Sequence, residues 1–358
     1  MMNVVQRLHE ASRSPISPTH DPDAFPFLIP GDRRLAIVTG GNSGIGYYTS
    51  LHLYLHGYVV YVFGRSKSRG YKSITEMKEE AIRIRQSYSP SQSANRHLGE
   101  LHFMYIDFTD LSLVFLAVEE FKRREKYLHV LVNNAGVMAL PFQLTKNKFE
   151  IQMQTNYIAP FVLTTKLLPL LERVVEKESQ KKSSTTVVCP RIIYLSSVGH
   201  NLAFRYFSPK TWFNLRPNIL FTWLRYGMAK TAGIHFMKML ALRNPKILCV
   251  SVHPGFVMNT NLFSYWTRLP IIGILFWVIF QVFGWMFGVS NEQGALASVR
   301  CALDPDLTVE KDNGKYYATG GIESEPSTVA NNMDYAARTW IWTVHELSKR
   351  KIYIPNDT

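Results

Sequence analysis

Short unbroken apolar runs alternate along the chain with longer stretches in which apolar residues recur at helical spacing. Residues 35–38, 58–63, 101–106, 130–132, 187–195 and 247–252 read as strands. Runs without polar alternation belong to strands covered on both faces. A helix is expected after residue 44, running through 56, with others over 72–88, 111–122, 145–155, 157–178 and 226–242. The stretches 87–99 and 177–184 read as loops. Strands alternating with helices predict an α/β domain built on one doubly wound parallel sheet. That domain is expected over 34–350. Residues 1–33, rich in Ser, Pro and His and lacking the apolar core of a signal peptide, are expected to form a flexible or loosely docked extension.

Two segments depart from this rhythm. Within the apolar stretch 262–291, residues 269–291 carry no charge over 23 positions, and about 20 apolar residues suffice to cross a bilayer as a helix. A single span would strand the strand expected at 314–317 on the wrong side of the membrane from its own sheet. Pro270, Gly273, Gly284 and Gly288 permit bends, so the segment is expected to insert from one side, as a hairpin or an interfacial helix. The insert 200–225 interleaves Phe204, Tyr206, Trp212, Phe213 and Trp223 with Arg205, Lys210, Arg216 and Arg225. That pattern suits a membrane–water interface or a lid over an apolar pocket.

Composition narrows the partners. The 358 residues carry a formal net charge of +13, which favours an acidic partner such as anionic lipid or a phosphorylated cofactor. No nucleic-acid-binding signature is present, so nucleic acid is not an expected partner. Cys189, Cys249 and Cys301 are too few and too scattered for a disulfide framework or a zinc site. They read as free thiols of a reducing compartment, and no metal is expected.

The chemistry-bearing motifs follow the strands. The first strand runs into Thr39-Gly40-Gly41-Asn42-Ser43-Gly44-Ile45-Gly46. A strand, a Gly-rich turn and a helix N-terminus form a cradle for a dinucleotide pyrophosphate, although glycines alone also serve plain turns. The second strand ends at Gly64-Arg65, with Lys67 and Arg69 beyond and no acid nearby. A guanidinium there suits a ribose 2′-phosphate, hence NADP(H) rather than NAD; the same residues would also read as a solvated charged loop. Asn133-Asn134-Ala135-Gly136 follows the fourth strand and Asn156 lies in the helical region after it. The fifth strand ends in Ser196-Ser197, beyond the carboxyl ends of the strands, where ligands of open α/β sheets bind. Tyr226 and Lys230 share one helix face at i and i+4. An ammonium beside a phenol is expected to lower its pKa, making the pair able to pass a proton to a carbonyl oxygen. Each motif alone is common. Their order along one α/β pattern is not.

That ordered set resembles the short-chain dehydrogenase/reductase family over about 34–350, and implies a Rossmann-type fold and hydride transfer with a nicotinamide cofactor. The resemblance implies Tyr226 as proton donor or acceptor and Lys230 as its partner, also holding the ribose hydroxyls. It implies Ser197 as the group polarising the substrate oxygen and Asn156 as support for a water relay to Lys230. Gly40, Asn42, Ser43, Gly44, Ile45 and Gly46 would cradle the pyrophosphate. Asp107 would bind the adenine edge, Asn134, Ala135 and Gly136 the adenosine ribose side, and Pro254, Gly255 and the Val257 backbone the nicotinamide side. The stretches 292–295, 301–306, 314–317 and 325–327 are similar to the retinol dehydrogenase and WW-domain oxidoreductase branch, and to fungal lipid-droplet oxidoreductases within it. Two departures stand out: Ser197 and Tyr226 are 29 positions apart, and Asn259 occupies a position where the family usually has Thr.

The expected function is NADP(H)-dependent reduction of a lipophilic carbonyl (retinal-like, steroid or long-chain ketone or aldehyde) or oxidation of the matching alcohol. The expected place is the cytosolic face of a membrane, the endoplasmic reticulum or a lipid droplet. Two alternatives differ in kind: a catalytically quiet NADP-binding scaffold on a lipid surface, and a soluble enzyme whose apolar segment forms a homodimer interface.

Overall fold

The computed structural model describes residues 21–180, 189–203, 221–257 and 288–353. Its centre is an eight-stranded sheet in the order β10-β9-β6-β5-β4-β1-β2-β3. The strands are β1 (Leu35–Thr39), β2 (Val59–Gly64), β3 (Glu100–Tyr105), β4 (Val130–Asn133), β5 (Arg191–Leu195), β6 (Leu248–Val252), β9 (Tyr316–Tyr317) and β10 (Glu323–Ser324). All pairings are parallel except β9 with β10. The short strands β7 (Phe256–Val257) and β8 (Gly288–Val289) pair separately.

Helices cover both faces. The main ones are α1 (Gly44–Leu55), α2 (Lys67–Gln86), α3 (Leu111–Arg124), α4 (Ala159–Ser179), α5 (Thr222–Arg243), α6 (Asn291–Leu303) and α7 (Met333–Lys349). Every residue of β1 and β2 is buried. Successive side chains feed opposite cores, as a pleated strand requires. Leu35 and Ile37 pack with Leu111, Phe161, Phe236 and Trp340. Ala36 and Val38 pack with Ile45, Leu51, Met77 and Val299. From β1 the chain winds out to β3, then returns through β4 in the other direction. The crevice beyond the carboxyl ends of β1 and β4 is therefore the switch point where such sheets bind ligands.

Several expected boundaries move. Residues 21–33, expected to belong to a flexible extension, are docked. Phe25 and Leu28 are buried, Arg96 bonds Asp23 at 2.8 Å, Phe27 stacks on His56, and Arg33 grips Glu125 with two bonds of 2.8 and 2.7 Å. Residues 1–20 lie outside the described set. The helix expected over 145–155 begins only at Ile151, because Leu144 and Glu150 bridge across a turn in which Lys148 takes φ 61°. The loop expected over 87–99 contains a helical turn, Pro90–Asn95, capped at its N-terminus by a reciprocal Ser89–Gln92 box.

The last residues of the stretch expected to associate with a membrane, 262–291, belong to the folded domain. Gly288 and Val289 pair with Phe256 and Val257, and α6 starts at Asn291 behind a Ser290 capping box. Residues 258–287, with Asn259, lie outside the described set, as do 204–220 of the insert and the 181–188 stretch. Among the described residues no helix is long and apolar enough to cross a membrane.

Candidate active site

The Gly-rich turn is built by close backbone approach. Gly40 takes φ +65°, and a Cβ there would sit 3.1 Å from Ala135 Cα; at Gly46 a Cβ would lie 2.4 Å from the Gly40 carbonyl. Thr39 ties this turn to the one after β4. Its Oγ1 accepts from the N–H groups of Asn134 and Ala135 at 3.0 Å each, and the Asn134 amide donates to the Thr39 carbonyl at 2.7 Å. Asn134 thus spends its side-chain donor bracing the loop. Helix α1 opens at Gly44 with no acidic residue in its first turn and no side-chain cap from Ser43, which is exposed. An uncapped helix N-terminus over a glycine cradle fits a pyrophosphate.

The flanks of this cradle are set by the sheet. A Cβ at Gly64 would lie 2.8 Å from Asn42 Oδ1, so the turn leans on the end of β2. Arg65 follows directly and is exposed. Asp107, after β3, is half-buried, with Oδ1 accepting from both the N–H and the hydroxyl of Thr109 at 2.9 Å. On the other side α6 approaches at Gly294, where a Cβ would meet Val257 Cγ2 at 2.6 Å, Ile45 Cγ1 at 3.4 Å and the Pro254 carbonyl at 3.4 Å. Gly255 takes φ +85° at the bend. The fold so brings Pro254, Gly255 and Val257 over the start of α1.

Ser197, Tyr226 and Lys230 converge despite their separation in sequence. Ser197 lies two residues past the end of β5 and caps a short 3-10 helix, Val198–Leu202, its Oγ accepting from Gly199 N–H at 3.1 Å. Helix α5 starts at Thr222, so Tyr226 and Lys230 lie one and two turns in, both buried. The Ser197 hydroxyl lies near enough to the Tyr226 phenol to favour its ionised form. Lys230 Nζ donates to the Leu195 carbonyl at 2.7 Å and stands 5.8 Å from the centre of the Tyr226 ring. The electrostatics differ from the sequence expectation. Burial pushes the Tyr226 phenol up to about 12 while the Ser197 hydroxyl beside it pulls it down, and burial pushes Lys230 down to about 7. Within the chain, desolvation outweighs any lowering of the phenol by a neighbouring ammonium.

Asn156 sits in a π turn, Gln154–Ile158, that continues into α4. Its side chain pairs with one peptide unit: Oδ1 accepts from Val137 N–H and Nδ2 donates to the Val137 carbonyl, both at 2.8 Å. Gly136 fills the space between it and the lysine, a Cβ there lying 3.1 Å from Asn156 Oδ1 and 3.4 Å from Lys230 Nζ.

Sequence reasoning passes over several groups that build this site. Gly199 is needed because a Cβ would approach Tyr226 Cε1 to 2.7 Å, and Gly227 because a Cβ would reach the Gly199 carbonyl at 2.5 Å. The pair of glycines, one after the serines and one after the tyrosine, is the signal that could have revealed this contact. His200 and His253 hold the serine loop. His200 Nδ1 donates to the Ser197 carbonyl at 2.6 Å while its Nε2 accepts from Ser327 N–H at 2.9 Å, and His253 Nδ1 accepts from Val198 N–H at 3.2 Å. Cys249 and Cys301 are buried, Cys189 half-buried, and all three are free. Among the described residues no cluster could hold a metal ion.

Residues 34–189 match the short chain dehydrogenase family model. A short-chain dehydrogenase/reductase of Aspergillus calidoustus, drtF, is 33% identical over 92% of this chain and 98% of its own. Retinol dehydrogenase 12 of Mus musculus is 31% identical, with 87% and 85% covered, and polyprenol dehydrogenase of Homo sapiens 28% identical, with 88% and 85% covered. Among solved structures, an uncharacterized protein of Mycobacterium paratuberculosis superposes with a TM-score of 0.62 at 23% identity, covering 93% of this chain and 98% of that one. The chain belongs to the short-chain dehydrogenase/reductase family, whose members are oxidoreductases acting on alcohol and carbonyl groups.

Proposed function

We propose that this protein is an NADP(H)-dependent reductase of lipophilic carbonyls, working at a lipid surface and able to oxidise the matching alcohols. The observation that carries the reading is the convergence of half-buried Ser197 with buried Tyr226 and Lys230 beside a glycine cradle suited to a dinucleotide. When bound, the dinucleotide supplies or accepts the hydride. The chain's own residues handle the oxygen. Ser197 Oγ donates to the substrate carbonyl oxygen, and Tyr226 Oη, raised to about 12 by burial, arrives protonated and gives its proton to the developing alkoxide. Lys230, whose charge burial disfavours, gains charge beside an anionic cofactor and stabilises the phenolate left behind. Asn156 holds the Val137 peptide and keeps Gly136 against the lysine.

Arg65 supports NADP(H). It is exposed directly after β2, where a guanidinium meets a 2′-phosphate and an acid would repel it. Asp107, Asn134 and Ala135 line the adenosine side, and Pro254, Gly255 and Val257 the nicotinamide side. The names of the relatives support a lipophilic substrate, since retinol and polyprenol are isoprenoid alcohols. Residues 258–287 leave from Val257 and return at Gly288, and these ends pair side by side. A segment with adjacent ends of attachment suits insertion from one side, which favours the cytosolic face of the endoplasmic reticulum or of a lipid droplet.

The test is turnover of purified protein in detergent or on vesicles, with NADPH and NADH in parallel, against retinal, steroid ketones and long-chain aldehydes. Oxidation of NADPH in preference to NADH with at least one of these is the expected result. A preference for NADH contradicts the role of Arg65, and no turnover with any carbonyl contradicts the reductase.

A further inference from the structure

Tyr194 lies on β5, three residues before Ser197, and is 1% exposed. Its phenol donates to the main-chain carbonyl of Asn156 at 2.8 Å. The same ring faces Lys230 Nζ, 5.4 Å from its centre. Room for it is cut into α5 at Gly233, one turn beyond the lysine, where a Cβ would fall 1.9 Å from Tyr194 Cζ and 2.3 Å from its oxygen. A side chain this confined adopts one position.

The Asn156 carbonyl needs this donor for a reason written in the sequence. In an α-helix it would accept from the N–H four residues on, and that residue is Pro160, which has none. The helix responds by widening into the π turn Gln154–Ile158. A buried carbonyl left without a donor is costly.

We infer that Tyr194 is a positioning residue for the Tyr226–Lys230 pair: its hydroxyl supplies the hydrogen bond that Pro160 withholds from Asn156, fixing the π turn against the lysine. The turn in turn sets Asn156 on the Val137 peptide and places Gly136 between them. This rests on the proposed reductase chemistry for its kinetic consequence, and on geometry alone for its structural one.

The test uses Tyr194→Phe in the full chain, which keeps the ring and removes the hydroxyl. With a turned-over carbonyl, kcat is expected to fall about tenfold while KM for carbonyl and for NADPH stays within about twofold. Amide exchange is expected to quicken at 154–158 and at Val137 and to stay unchanged in β1. Adding Pro160→Ala restores a backbone donor to Asn156, so the double variant is expected to recover the slow exchange and part of kcat. Unchanged exchange at 154–158, or a loss of kcat matched by a rise in KM with no recovery in the double variant, overturns the inference. If the wild-type chain turns over no carbonyl, the reductase reading fails separately, and the exchange comparison with its rescue still decides the role of Tyr194.

Discussion

Lys230 Nζ donates to the Leu195 carbonyl at 2.7 Å in a site so buried that the lysine titrates near 7. This contact stabilises the charge only in part, and the cost can be measured. Unfolded, the side chain holds its proton up to about pH 10.4. Between about 7 and that value the unfolded chain binds the extra proton, so the penalty is full below about pH 7 and fades as pH rises. Lys230→Met should therefore be inactive yet more stable than wild type near pH 7, by about 2–4 kcal/mol. That range takes a ceiling of about 5 kcal/mol from the shift and subtracts about 1–3 for the carbonyl left without its donor. The gain should shrink toward pH 10. Chemical melts at both pH values check it, and a destabilised variant near pH 7 contradicts it.

The contact between Gly199 and Tyr226 predicts a lesion out of proportion to its size. A methyl group at position 199 would stand 2.7 Å from Cε1 and 2.9 Å from Cδ1 of the ring. The ring is buried and cannot swing away, so Gly199→Ala must displace Tyr226 or the serine loop. Overpacking of this kind costs about 1–3 kcal/mol, and misplacing the phenol should lower kcat by at least about tenfold. NADPH affinity, measured by fluorescence, should stay near wild type. A kcat within about twofold of wild type would show that the loop yields freely.

Arg65→Asp should reverse the cofactor preference. Replacing the guanidinium by a carboxylate removes a charge-assisted bond to a 2′-phosphate and adds repulsion, so kcat/KM for NADPH should fall at least about a hundredfold while that for NADH holds or rises. Parallel saturation curves decide. An equal loss with both cofactors would place Arg65 outside the ribose site.

Docking of residues 21–33 predicts two different truncations. Removing 1–33 strips away Phe25 and Leu28, both buried, and the Asp23–Arg96 and Arg33–Glu125 pairs. Burial of the two apolar side chains is worth about 1.5–3 kcal/mol each, so this truncation should cost about 3–6 kcal/mol. Truncation at residue 21 keeps every one of these contacts and should melt near wild type. Equal melting of the two truncated chains would show that the segment contributes nothing.

The parts of this fold that were legible in the sequence are those fixed by local pattern. The run 35–38 reads as a strand because both its faces are covered, and the Tyr226–Lys230 spacing reads as one helix face because α5 is regular there. The illegible parts depend on partners distant in the chain. The N-terminal segment docks through Arg96, 73 positions from Asp23. The π turn at Asn156 is set by Pro160 together with a phenol 38 positions away, so periodicity alone divided it into two helices. Burial raises the Tyr226 phenol, which the sequence does not convey, because adjacency to a lysine is visible there and the depth of burial is not. Arg65 was legible as a charge after a strand, and the structure adds only that it is exposed.

The most direct test of the reductase account is a single-turnover comparison of wild type with Tyr226→Phe, each first shown to bind NADPH equally. The account predicts that the wild-type chain reduces a lipophilic carbonyl with stoichiometric loss of NADPH, and that the Phe variant, holding the same cofactor, slows at least about a thousandfold for want of the proton. Equal rates in the two would contradict it, because the proton would then reach the oxygen by a route that does not use Tyr226.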